Sequence, residues 1–504
     1  MTTHILALDQ GTTSSKGVIM DHRAQIVAVS DKFPIQIQSP QIGWVEYDPS
    51  EMLDSLIKAG QDAIRKAGVD PSNIAMVGMA NQGETVIAFD SESGEPIGPA
   101  ISWQDRRTTE IINRWQKQGL SAEITAKTGL KLDPYFSAAK MRWILENVPQ
   151  ASLLLEQGRL CLATSDTWLI AQLTALKNIL TDVSTASRTM LLNLDTLDWD
   201  QDLLEKLEIP KAVLPKLVGN TKCVGTVHPK WFAAEIPLGG LCVDQQAALF
   251  GQHCFTEGEA KLTYGTGCFM LANIGADSTR RSTDLLTSVG WRIDGLTQYV
   301  FDGGIYTAGA VVDWMIDKMQ LVDRPEAIDW VLEDPAAIPD LFFIPALSGL
   351  AAPYWDPDVK GAWYGLTLTH DRRSLVKSVM EAIGFRVKDI FELMAASGLI
   401  MDDLKVDGGL TQNRFLMQLQ SNLLGIPIAV MDIVEATALG VGLLAGLSAG
   451  FFSTVTEFPE NSAPQTIYQP DKQEAQACLQ RYQQWCTILQ EVVQWPKHGI
   501  PKTV

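Results

Sequence analysis

Apolar and polar positions change period along the first hundred residues. HILALD (residues 4–9) and KGVIMD (16–21) are strand-like runs separated by the small polar stretch GTTSS, a pattern that predicts a β-hairpin. A third apolar run, IVAVSDKF, follows closely and predicts another strand. In EMLDSLIKAGQDAIRKAG the apolar residues recur at helical spacing, with Ser50 the expected N-cap and Gly68 the expected C-cap. IAMVGMAN and TVIAFD return to strand patterning, with Ser93-Gly94 as a turn behind them. The chain therefore opens as β-β-β-α-β, with more strands to follow.

The second half restarts this pattern. AKLTYGTGCFMLAN (260–273) is again strand, small turn and strand. KVDGGL (405–410) is a strand running into a double glycine, and the helical stretch NRFLMQLQSNLLG follows. Two halves that each begin on a strand-bounded glycine turn predict an α/β protein of two similar domains, 1–250 and 251–504, with a cleft between them. The most apolar stretch, ATALGVGLLAGLSAGFF (436–452), is short for a bilayer span and rich in glycine. It is expected to be a buried helix packed closely through its glycines.

Composition narrows the class. At about 150 residues per domain, 504 residues would make roughly three average domains, whereas the repeat in pattern divides them into two large ones. Lys+Arg number 40 and Asp+Glu 59, a net charge of −19, which argues against nucleic acid or an anionic membrane surface as partner. A small Mg²⁺–nucleotide complex is compatible with that charge, because carboxylates hold it as much as cations do. The seven cysteines include no CxxC, and the six histidines form no HxH or HxxxH pair, so a zinc site or disulfide framework is not expected. Reduced buried thiols and the absence of a signal-peptide pattern predict a cytoplasmic protein.

Candidate chemistry gathers at the turns. In DQGTTSSK, Gly11 lets backbone approach a phosphate, and Thr12, Thr13 and Ser14 add hydroxyl donors. Asp9 at the strand end can hold Mg²⁺ through water. The same hydroxyls could instead satisfy local backbone. Tyr264-Gly265-Thr266-Gly267 and Asp407-Gly408-Gly409 are the second and third such turns. Asp244 follows the apolar run ending at Val243, where a carboxylate can take a proton from a substrate hydroxyl during phosphoryl transfer, cap a helix, or do both. Competing patterns lack context. There is no GxxxxGK[ST]; the GxSxG at 446–450 lies inside the apolar helical run; SxxK (137–140) and KTG (127–129) stand in the wrong order without SDN.

Taken in order, ALDQGTTSSKGVIMD, GWVEYDP, DPYFSAAKMRWILEN, SDTWLI, TDVSTASRTMLLNLDTLDWD, VDQQAALFGQ, YGTGCFML, PYWDPDVKGAWYGLT and VDGGLTQNRFLMQLQSNLLG resemble the FGGY carbohydrate kinases over nearly the whole chain. Tyr135 to Asn147 fits that family's first signature. The resemblance implies two RNase H-like domains of the actin/hexokinase type around an interdomain cleft. It implies ATP and Mg²⁺, transfer to a terminal hydroxyl of a small polyol with glycerol the first candidate, and a homodimer or homotetramer. It places Glu84, Trp103, Tyr135, Asp244 and Gln245 on the polyol, with Phe269 as an apolar contact. It makes Asp244 the base, puts Asp9 and Asp244 on the metal, and puts Thr12, Gly265, Thr266, Gly408, Gly409 and Asn413 on the nucleotide.

Two departures stand out. The family's NQRET reads Asn81-Gln82-Gly83-Glu84-Thr85, so Gly83 replaces an arginine that donates to substrate hydroxyls. Such a loss typically costs about 1.5–3 kcal/mol. It is also expected to open volume, which would favour a tetritol or ketose over glycerol, unless another group fills the gap. Members inhibited by fructose 1,6-bisphosphate carry a Gly-Lys-Gly-Gly-Thr-Arg loop, where this chain has His228-Pro229-Lys230-Trp231-Phe232-Ala233. A more distant expectation is a sensor that binds nucleotide and polyol without turnover.

Overall fold

The computed structural model describes residues 3–282, 284–332, 341–356, 358–433, 435–459 and 463–494. The opening hairpin forms from β1 (His4–Gln10) and β2 (Ser14–Asp21), antiparallel in register Asp9 to Lys16. IVAVSDKF makes two strands, β3 (Ile26–Val29) and the pair Phe33–Pro34, both antiparallel to β2. Helix α1 (Pro49–Ala67) follows, and its C-cap Gly68 has φ 64° as expected. Its N-cap is Asp48, not Ser50. The Asp48 carboxylate accepts the Ser50 N–H at 2.8 Å, and Pro49 takes the first helical position, where no N–H is needed.

Strands β4 (Ile74–Asn81) and β5 (Ile236–Val243) complete the centre of the first sheet. Its order is Gly225–Val227, β5, β4, β1, β2, β3, with β1, β4 and β5 parallel. The second sheet repeats the scheme with β6 (Ala260–Tyr264), β7 (Cys268–Asn273), β8 (Leu286–Ile293), β9 (Leu296–Ile305), β10 (Leu404–Gly408) and β11 (Ile428–Val430). It runs β8-β9-β7-β6-β10-β11-(Thr466–Tyr468), antiparallel through β9-β7-β6 and parallel through β6-β10-β11. Each half thus places a hairpin turn and a parallel strand end side by side. TVIAFD forms the strand Val86–Asp90 but joins a separate four-stranded sheet with Glu46–Tyr47, Ala100–Ile101 and Leu160–Thr164.

Helix α2 (Ser137–Asn147) carries the SxxK residues, and α3 (Asp244–Gly251) leaves β5. Asp244 is the first residue of α3, whose N-cap is Val243, so the capping alternative is not realised. Helix α4 (Arg414–Leu424) follows the third turn. The glycine-rich run is α5 (Ala436–Ser448), buried as expected and carrying the GxSxG serine at its end. Although it comes from the second half of the sequence, α5 packs on β1, β4 and β5 of the first sheet and on α3. The packing leaves no space for side chains. A Cβ on Gly440 would lie 1.8 Å from the Ala247 carbonyl oxygen of α3, and one on Gly78 of β4 would lie 2.5 Å from the Val441 carbonyl oxygen. The surrounding apolar cluster includes Ile5, Val18 and Met76 from the first sheet and Leu271 and Val300 from the second, so it spans both halves.

Among the described residues no helix is long and apolar enough to cross a membrane. The cysteines are free thiols; Cys161, Cys242, Cys254 and Cys268 are buried and Cys223 is exposed. Backbone cannot yield to a new methyl as a flexible side chain can. Gly440→Ala is therefore expected to destabilise by about 3 kcal/mol, seen as a lower midpoint in thermal or urea unfolding.

Candidate active site

The first turn hangs between β1 and β2, closed by the Gly11 N–H on the Ser14 carbonyl at 3.1 Å. Thr13 is exposed and Thr12 and Ser14 are half-buried, so these hydroxyls line an open edge. The Trp103 indole N–H donates to Thr12 Oγ1 at 3.1 Å, tying the turn to the polyol residues expected beside it. The second and third turns lie against each other, because Tyr264 pairs with Gly408 across β6 and β10. Gly408 has φ 95°, and a Cβ there would meet the Tyr264 carbonyl oxygen at 2.2 Å, so only glycine fits. Gly265, Thr266, Gly408 and Gly409 are exposed at this edge. Asn413 is partly occupied elsewhere. Its side-chain oxygen accepts the Leu416 N–H as the cap of α4, and its amide donates to Asp329, each at 2.8 Å. The second amide hydrogen of Asn413 remains for the expected nucleotide contact.

Of the residues expected on the polyol, Glu84, Trp103, Tyr135 and Asp244 come together. Glu84 is buried and has φ 56°, held by the Thr85 N–H on the Gly83 carbonyl (2.7 Å) and by Ser137 Oγ on its own carbonyl (3.1 Å). A non-glycine residue in this region is strained, which is common where a side chain must be aimed. Trp103 and Tyr135 meet edge to face with ring centroids 5.6 Å apart. Lys140, the lysine of SxxK, is buried and donates to the carbonyls of Pro134 (2.9 Å) and Tyr135 (2.6 Å), bracing the segment that carries the phenol. Gln245 Oε1 accepts from Lys261 at 2.7 Å, which orients its amide and leaves the NH₂ end for another acceptor. Phe269 lies half-buried on β7, against the β9 backbone at Gly304.

A Cβ at Gly83 would stand 3.0 Å from Val243 Cγ2 and 3.9 Å from Arg188 Cγ, so the Val243 side chain and the stem of Arg188 lie against this face. Arg188 lies in the TDVSTASRTM segment. It donates from Nε to Glu84 Oε1 at 2.7 Å, and its Nη2 lies 3.1 Å from Asp302 on β9. Sequence reasoning assigns no role to Arg188, Asp302 or Lys261. A lone lysine in an otherwise apolar strand, AKLTY, was the signal for Lys261; nothing local marks Asp302.

Electrostatics concentrate at Asp9 and Asp244. Desolvation, then Asp244 and Glu435, push Asp9 up to about 7, against Lys16. Desolvation, then Glu84, push Asp244 up to about 7, while the Gln245 N–H (2.7 Å), Lys261 and Arg188 oppose the rise. Lys16 itself is paired with Glu435, just before α5. Among the described residues no cluster of three or more His, Cys, Asp or Glu forms a metal cage. Asp9 and Asp244 repel each other when both are ionised, and a Mg²⁺ ion, which keeps most of its ligands as water and phosphate oxygen, would relieve that repulsion.

Two halves with the same strand scheme, three glycine turns and a carboxylate at a helix start define a phosphotransferase of the sugar-kinase class. The pattern of the FGGY family of carbohydrate kinases, N-terminal domain, matches residues 4–251, and that of the C-terminal domain matches 260–449. The chain is 41% identical over 499 residues to a glycerol kinase of Caldanaerobacter subterraneus subsp. tengcongensis, covering 98% of this chain and 99% of that one. It is 40% identical over 483 residues to a glycerol kinase of Burkholderia pseudomallei, covering 95% and 96%. Plasmodium falciparum glycerol kinase with ADP superposes with a TM-score of 0.89 at 31% identity, covering 97% of this chain and 98% of that one. A xylulose kinase from Lactobacillus acidophilus gives 0.88 at 24% identity over 98% and 100%, a likeness of fold. The chain belongs to the FGGY family of carbohydrate kinases.

Asp9 and Asp244 release their protons near 7 when folded and near 3.8 when unfolded, so their stabilising contribution is full below pH 3.8 and lost as pH rises through about 7. Asp9→Asn is therefore expected to raise the thermal midpoint of the ligand-free protein at about pH 8 and to leave it nearly unchanged at about pH 4. A melting series across this range checks it.

Proposed function

We propose that this protein transfers the γ-phosphoryl group of ATP to a terminal hydroxyl of glycerol, giving glycerol 3-phosphate. The observation that carries the reading is Asp244, set at the start of α3 beside Glu84 and Gln245 and held near neutrality. A base with its pKa near the working pH is the most effective proton acceptor. On this reading Glu84, Gln245 and Tyr135 take the hydroxyls, while Trp103 and Phe269 cover the carbon skeleton. Asp244 then accepts the proton of the attacking hydroxyl as that oxygen closes on the phosphorus in line. Thr12, Thr13 and Ser14 from one half, and Thr266 with the backbone at Gly265, Gly408 and Gly409 from the other, hold the phosphates. Mg²⁺, when bound through Asp9 and Asp244, supplies charge neutralisation on the transferred group. The free thiols suit a reducing, cytoplasmic setting.

The Val243 and Arg188 side chains against the Gly83 face favour glycerol over a larger tetritol or ketose. In a panel of glycerol, dihydroxyacetone, erythritol, threitol and xylulose, ADP release is expected to be fastest per unit concentration with glycerol. Polyol binding without ADP release would make the protein a sensor instead. Asp244→Asn is expected to lower kcat by about 10²- to 10⁴-fold while ATP binding by calorimetry stays within a few-fold. Near-normal turnover in that variant would remove Asp244 as the base.

A further inference from the structure

Arg188 is a charged side chain buried to 3% exposure, and it has no role in the reading above. Its backbone follows the short helix Val183–Ala186, and the neighbouring Thr189 carbonyl accepts the Ala138 N–H of α2 at 2.9 Å. This fixes the residue beside the segment that carries Tyr135. Its guanidinium carbon lies 5.8 Å from the Tyr135 ring centre and 5.5 Å from that of Phe136. Nε is spent on Glu84 and Nη2 on Asp302, but Nη1 is buried without any hydrogen-bond partner. A desolvated donor on a charged group is costly to leave unpaired, so it calls for an acceptor that arrives later. Burial disfavours its charge, and Glu84 and Asp302 more than offset that, so its pKa stays raised.

We propose that Arg188 is the specificity-determining guanidinium of the polyol site, with Nη1 reserved for a substrate hydroxyl that Glu84 holds from the other side. A hydroxyl is the one simple group that suits such a pair, since it can donate to the carboxylate and accept from the guanidinium at once. The side-chain stem of Arg188 runs past the bare face of Gly83, so the donor missing from that position is provided by a residue about a hundred positions later in the chain. Because Asp302 belongs to the second sheet, the same guanidinium registers the two halves on each other.

This assignment rests on the kinase reading but is tested separately from it. The wild-type enzyme and its Arg188→Lys and Arg188→Met variants are assayed with glycerol, propane-1,2-diol and propane-1,3-diol, and glycerol binding is followed by calorimetry without nucleotide. The expected result is a rise in glycerol KM and Kd of about ten- to a hundredfold, with kcat changed much less. The diol lacking the hydroxyl that Arg188 reads should lose little, so the wild-type preference for glycerol over that diol shrinks by the same factor. An equal loss on glycerol and both diols, or an unchanged KM, would overturn the assignment. Circular dichroism melts monitor folding, and Arg188→Lys keeps the charge should the methionine variant fail to fold. If the wild-type enzyme turns over another polyol instead, glycerol phosphorylation is refuted. The same variants with that polyol and its deoxy analogues then decide the role of Arg188.

Discussion

The arrangement of the whole molecule depends on a contact from which side chains are excluded. Helix α5 meets α3 at Gly440 and the Ala247 carbonyl, and meets β4 at Gly78, at separations that no Cβ could tolerate. Close-packed backbone has no soft degree of freedom, so this contact sets the position of both helices relative to the first sheet. Asp244 opens α3, and Glu435, just before α5, pairs with Lys16 of the first hairpin. The placement of Asp244 and of the hairpin thus depends on glycines contributed by both halves of the sequence.

A second constraint is charge. Asp9, Glu84, Asp244 and Asp302 gather in a region where burial raises the pKa of each. Two buried cations, Arg188 and Lys261, lie between them and make the arrangement tolerable. Both bridge the halves, Arg188 to Asp302 and Lys261 to Gln245. Buried ion pairs of this kind add little net stability, but removing one partner leaves an uncompensated charge. A net charge of −19 is therefore no obstacle to a phosphate-handling site. Hydroxyls and backbone N–H groups can face the phosphates, while the buried cations serve the acids.

Much of this was legible in the chain. The hairpin at 4–21, helix α1, the restart at Ala260 and the buried character of 436–448 are local, because periodicity and turn residues report which face is apolar. The errors were local too. Asp48 rather than Ser50 caps α1 because proline takes the next position, and Asp244 starts its helix instead of capping it. Gly83 shows a different limit. A glycine in sequence implies missing atoms, and only the folded chain shows which remote residues, Val243 and Arg188, lie against its face.

The sequence by itself determined the two-part α/β plan, the three phosphate-type turns and the identity of the carboxylate at position 244, since each depends on residues within a few positions of one another. Only the folded chain shows that α5 packs on the first sheet, that Asn413 caps α4, and that Arg188 joins Glu84 to Asp302. Those outcomes follow from close packing and charge compensation between remote segments: Gly78 touches Val441, and Lys16 pairs with Glu435, 419 positions later. Local pattern carries no information about such a partner, because the energy of the contact exists only after the chain has closed on itself.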